Sequence, residues 1–139
     1  MRELNPDTKK RLMHISTATL ATLLFKRGLR NQFIQGIVRL SKSSGNMVGP
    51  AFTLRYMPAR EDRNGIEVFR DRNHPQRQAV EQCPPGSVMV IDSRKDARAA
   101  SAGGILVSRL LERGVAGVVT DGGFRDSDEI SHLGIASYH

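Results

Sequence analysis

Tryptophan is absent from this 139-residue chain, cysteine occurs once, and aromatic residues make up only 5% of it. A lone Cys83 excludes a disulfide framework. With no Cys/His arrangement around it, Cys83 reads as a small residue packed near a helix end, not as a nucleophile. No apolar run approaches the roughly 18 residues of a membrane span. The first residues, MRELNPDTKKR, lack the apolar core of a secretory signal, so a cytoplasmic protein is expected. Two nucleotide-binding signatures are also missing. There is no Gly-Lys-Ser/Thr phosphate loop and no GxGxxG dinucleotide turn.

Acidic residues are outnumbered, 14 against 21 Lys and Arg, which gives a formal charge of +7. Clustered cations would attract nucleic acid. Here they are scattered, and the densest run, Arg55, Arg60, Arg63, Arg70, Arg72 and Arg77, is interleaved with acids and has only Tyr56 and Phe69 as aromatics. The pattern favours a solvated, partly charge-paired surface over a nucleic-acid face, and small anionic substrates would also suit it. A hydrophobic fraction of 39% and a charged fraction of 25% fit one globular α/β domain over residues 1–139.

Along the chain, Asn5-Pro6-Asp7 is a helix start, and apolar positions from Leu12 to Leu24 predict one helix running to Gly28 with Ser16-Thr17-Ala18-Thr19 inside it. Phe33–Leu40 is expected as a strand, followed by a turn-rich link over Ser41–Asn46. Phe52, Leu54 and Tyr56 alternate with Ala51, Thr53 and Arg55, the pattern of a strand buried on one face. Pro58–Asn73 reads as a long surface loop, and His74 as a loop or cap residue before a helix reaching Cys83. Ser87–Asp92 is a nearly continuous apolar strand of the doubly covered kind. Asp92 at its end is either a site carboxylate or a cap for the following loop.

The chain is organised around Ala102–Glu129, AGGILVSRLLERGVAGVVTDGGFRDSDE. Gly103 and Gly104 open a short helix, Ile105–Arg113, whose apolar positions are Ile105, Leu106, Leu110 and Leu111. Gly114 ends it. Val115–Thr120 is a second apolar strand, which completes a βαβ crossover for a parallel pair. The loop beyond it carries Arg125 and Asp126 toward the strand ends, where open α/β sheets hold ligands. Free N–H groups at a helix start attract an anion, and a planar guanidinium suits a carboxylate. Asp126, with Asp121, Asp128 and Glu129 nearby, offers hard oxygens to a divalent cation. Together these describe a site for a small 2-oxo acid. Ile135–His139 looks like a further strand beginning, so the chain is expected to stop in mid-fold.

AGGILVSRLL followed by RGVAGVVTDGGFRD resembles the signature of the family that holds 4-hydroxy-4-methyl-2-oxoglutarate aldolase and the regulator of ribonuclease activity A, RraA. The aldolase pattern of Gly, twenty residues, Arg-Asp, two residues and an acid is matched by Gly104, Arg125, Asp126 and Glu129. Weaker similarity covers the STATL stretch, VGPAFTL and PPGSVMVID. The resemblance implies a three-layer α/β fold of the swivelling β/β/α type, assembled as a trimer or hexamer with sites between subunits. It implies a metal-dependent pyruvate aldolase acting on 4-hydroxy-2-oxo acids, with oxaloacetate decarboxylation as a side activity. Asp126 would bind Mg²⁺ or Mn²⁺, Arg125 would hold the pyruvyl end, and the backbone around Gly103, Gly104, Ile105 and Leu106 would receive the substrate carboxylate. Some aldolases of the family carry Asp where this chain has Gly104, which makes Glu129 the candidate for the second acidic ligand. The family domain continues beyond the position of His139, and its later part adds an acidic group to a neighbour's site. The resemblance also carries an alternative function, a non-catalytic regulator that binds and inhibits ribonuclease E.

Overall fold

The computed structural model describes residues 4–42, 45–58, 60 and 62–139. Its centre is a four-stranded sheet of β1 (Ala51–Arg55), β2 (Val88–Asp92), β4 (Gly117–Thr120) and β6 (Ala136–Tyr138), in that spatial order and parallel throughout. Between these strands lie α3 (Pro75–Gln82), α4 (Gly104–Glu112) and α5 (Ser127–His132). Each crossover steps the sheet in the same direction, so the common right-handed connection places the three helices in one row. Contacts of α4 with α3, α5 and β4 fit that arrangement. A second, two-stranded parallel sheet pairs β3 (Ala100–Ala102) with β5 (Gly123–Phe124). It lies immediately before α4 and immediately before the Arg125-Asp126 pair.

The expected mixed α/β class with a parallel βαβ unit is found, with β2 and β4 in register from Val88↔Gly117 to Ile91↔Thr120. Val118, Met89, Ile91, Val107, Leu110, Ile130 and Cys83 form the core cluster. The side chains of β1 alternate as expected, with Phe52 and Leu54 turned inward. In α4 the buried positions are Gly104, Val107 and Leu110, whereas Ile105, expected on the buried face, is 83% exposed. The buried stripe starts one residue earlier than a count from Ile105 places it, because Gly104 is already helical.

Two local expectations are corrected. The first helix is two: α1 (Pro6–Leu12), capped by the Asn5 side chain, and α2 (Thr17–Lys26), capped by Ser16 Oγ on the Thr19 N–H at 3.1 Å. Ser and Thr are poor inside helices because they bond to nearby backbone, and the same property makes Ser16 a good start signal. Phe33–Leu40 is not a strand. It keeps one antiparallel bridge, Arg39↔Tyr138, with hydrogen bonds between Val38 and His139 that close the outer edge of β6. Pro58–Asn73 contains a 3-10 helix at Ile66–Arg70, and positions 59 and 61 of that loop lie outside the described residues, as do 43 and 44 of the link before β1.

Candidate active site

The start of α4 is where the chemistry gathers. Gly103 precedes the helix in extended backbone and provides no side-chain cap. The cap comes from across the chain, for the Gly104 N–H donates to Asp126 Oδ2 at 3.0 Å. Asp126 is placed there by the small sheet: the Arg125 N–H donates to the Ala102 carbonyl at 3.0 Å, which holds the end of β5 against β3. Asp126 itself adopts the left-handed conformation, φ 62°, and turns the chain into α5. Asp is among the few residues other than glycine that take this conformation readily.

Arg125 Nε lies 3.7 Å from Asp126 Oδ2, with both side chains substantially exposed. One oxygen of Asp126 therefore serves the helix N–H and the guanidinium together. A first side-chain carbon on Gly103 would lie 3.0 Å from Asp126 Oδ2 and 3.4 Å from Arg125 Nε, and one on Gly104 would lie 2.8 Å from Glu129 Oε2. The glycine pair is thus the space that lets three charged side chains meet the helix end. Any larger residue would push one of them away.

Gly103, Gly104, Arg125, Asp126 and Glu129 are accordingly brought together as expected. Leu106 turns its N–H to the Gly103 carbonyl at 3.1 Å, which leaves the Ile105 N–H as a donor without a partner among the described residues. Asp121 is elsewhere: its carboxylate accepts from the N–H groups of Ser93 and Lys95 at 2.6 and 3.0 Å and shapes that loop. Asp92, left open between two roles, is the loop cap. It accepts from the Arg94 N–H at 3.0 Å and pairs with Arg55 at 2.8 Å.

Does this donor set fit Mg²⁺ or Mn²⁺? Glu129 makes no hydrogen bond or ion pair among the described residues, and Asp126 Oδ1 is likewise uncommitted. No group of three or more His, Cys, Asp or Glu side chains forms a ready cage among those residues. Magnesium keeps several waters and is often held by one or two carboxylates plus substrate oxygens, so two hard oxygen donors beside an anion-attracting helix end fit it.

Two features escaped the sequence. At the C-terminal ends of β2 and β4, Ser93, Ser101 and Thr120 share buried hydroxyl contacts, 2.6 Å between Ser93 and Ser101 and 2.7 Å between Ser101 and Thr120. This knot ties β3 to the main sheet beneath the site. The second is a cleft of about 1080 Å³ beside Gly103 and Arg125, lined by Arg72, Arg77, Arg98, Arg109 and Arg125 with Glu81 as its acid. Arg98 holds Asp96 down to about 2 through its side-chain hydrogen bonds, and Arg109 likewise holds Glu81 low. The arginines of 72 and 77 were legible only as surface charge, since nothing local in the sequence brings them to α4.

Comparison with known proteins bears on the same elements. The RraA-like family model, described as Aldolase/RraA, matches residues 17–139. Protein DlpA of Legionella pneumophila is 24% identical over 127 residues, which is 90% of this chain and 19% of DlpA. The crystal structure of Streptomyces coelicolor RraAS2, an unusual member of the RNase ES inhibitor RraA protein family, superposes with a TM-score of 0.80 at 29% identity. That match covers 99% of this chain and 64% of RraAS2. The RNA-processing inhibitor RraA from Thermus thermophilus shares the fold at a TM-score of 0.65 and 23% identity, over 91% of this chain and 66% of the other. The chain thus spans about a fifth of DlpA and under two thirds of RraAS2.

Proposed function

This chain belongs to the RraA-like family, and on that premise we propose that it is a divalent-metal-dependent aldolase cleaving 4-hydroxy-2-oxo acids to pyruvate, with oxaloacetate decarboxylation as a side activity. The observation that carries this reading is the meeting of Arg125, Asp126 and Glu129 on the first turn of α4. The Ile105 N–H and the positive end of α4 receive the substrate carboxylate. Arg125 lies alongside and stabilises the negative charge that grows on the keto oxygen as the C–C bond breaks. Asp126 and Glu129 would hold Mg²⁺ or Mn²⁺, which supplies a Lewis acid for the same oxygen. Among the described residues no helix is long and apolar enough to cross a membrane, and the protein is proposed to work in the cytoplasm as a homotrimer or hexamer.

The test is pyruvate release from 4-hydroxy-4-methyl-2-oxoglutarate and from oxaloacetate in Mg²⁺. Turnover is expected to stop with chelator and to fall at least a hundredfold in Arg125→Ala and Asp126→Ala. Metal-independent activity, or none in a folded preparation, rejects the reading.

The likeness to RraAS2 at 29% identity favours a second one, a regulator that binds and inhibits an E-type ribonuclease. Such a complex forms without metal and survives Asp126→Ala in a pull-down, whereas the aldolase reading predicts no such complex.

A further inference from the structure

The cleft is far larger than a three-carbon acid requires, since sites of about 300–1,000 Å³ hold drug-sized ligands. Its cations are not equivalent. Arg98 is tied to Asp96 through Nε and Nη2 at 2.7–3.2 Å, and Arg109 is tied to Glu81 through Nε and Nη2 at 2.8 and 2.9 Å. Their forks are already filled by carboxylates. Arg72 makes no hydrogen bond or ion pair among the described residues, and Arg77 reaches only the neutral carbonyl of Phe69. Arg72 lies in the link between the 3-10 helix and α3 and Arg77 in the first turn of α3, while Arg125 and the α4 start form another wall of the same cleft. Phe69, Val80 and Leu106 supply an apolar lining.

Arg72 and Arg77 both line the cleft with no carboxylate partner among the described residues, and an anion there would fill the donors they leave open. We propose that Arg72 and Arg77 form a second anion subsite, which recognises a terminal carboxylate or phosphate-type group on the substrate end remote from the pyruvyl group. The inference rests on the aldolase reading for the first end and adds the residues that select the second. Arg72 and Arg77 are specificity residues and touch no reacting atom. A substrate with one charged end uses only the α4 start and Arg125; one with two uses both walls.

Binding by calorimetry in Mg²⁺ separates the two. Pyruvate has one anionic end, 2-oxoglutarate has a terminal carboxylate, and 2-oxo-4-phosphonobutanoate has a terminal phosphonate. The native protein is expected to bind at least one of the longer acids ten times or more tighter than pyruvate, and which one identifies the terminal group. Arg72→Gln/Arg77→Gln is expected to erase that preference while pyruvate binding stays within twofold. Both side chains are on the surface, and circular dichroism checks that the variant is folded. Arg72→Lys/Arg77→Lys keeps the charge without the planar fork and should recover part of the preference. Arg125→Ala weakens all three ligands. If pyruvate binds but the Gln variant keeps its preference, or the native protein shows none, the second subsite is wrong and the aldolase reading stands. If none of the three binds, both fall.

Discussion

The Gly104 N–H and the Asp126 carboxylate, 22 positions apart in sequence, meet at 3.0 Å. The contact makes Asp126 the cap of α4 as well as a candidate metal ligand, and the two roles separate by substitution. Asp126→Asn keeps an oxygen for the N–H and tolerates the left-handed backbone, so its stability is expected within about 1 kcal/mol of the parent. Asp126→Ala loses the cap and is expected to cost ~0.5–2 kcal/mol. Thermal melts check both, and a Mg²⁺ titration should show binding weakened in both.

Tyr56 donates to the Ser101 carbonyl at 2.7 Å and accepts from Gln76 Nε2 at 2.8 Å, bracing β3 just ahead of Gly103. Burial pushes its phenol up to about 12. A folded value above the unfolded one means that the neutral form is favoured in the native state. That stabilisation is complete below about pH 10 and is lost as pH rises through about 12. Urea unfolding at pH 9 and 11.5 is expected to show a larger loss in the parent than in Tyr56→Phe. The variant itself should be about 1 kcal/mol less stable at pH 8.

Gly122 stands against the hydroxyl knot. A methyl group there would lie 2.7 Å from Ser93 Cβ and 2.8 Å from Ser101 Oγ. Gly122→Ala is therefore expected to destabilise by about 1–3 kcal/mol, the usual cost of overpacking. Denaturant midpoints measure it. Gly104→Ala, which meets only the movable end of Glu129, should cost less.

Cys83 is fully buried, and its thiol is pushed up by burial, with Arg113 only partly opposing. The thiolate is the reactive form. Iodoacetamide at pH 8 is expected to leave native protein unlabelled over the time in which urea-unfolded protein is fully alkylated. Rapid native labelling would show that the α3 end opens.

The strands were readable where one pattern dominated. Phe52, Leu54 and Tyr56 announce a half-buried strand, and Val88–Asp92 a doubly covered one, because burial on one face or two leaves its period in the residues themselves. Phe33–Leu40 is likewise apolar and is no strand, since pairing depends on a neighbour and only its end, Val38–Leu40, meets one. Ser16 misled because a hydroxyl run reads alike inside a helix and at its start. In the site, Arg125, Asp126 and Glu129 were legible as a group because they lie within five residues of one another, whereas the β3–β5 pairing that brings them to the α4 start is not local. Arg72 and Arg77 reach the cleft through tertiary packing, which leaves no mark at short range.

The edge formed by Val38–Leu40 has a consequence for how the molecule is made. Strands join the sheet in the order in which the ribosome delivers them, each against the one before. Val38 and Leu40 break this order, for their partners are His139 and Ser137. During synthesis that segment waits through about a hundred residues of chain, roughly 5–20 s at common elongation rates, with its backbone unpaired. Joining Val38–Leu40 to β6 is thus a long-range step, of the kind that slows folding.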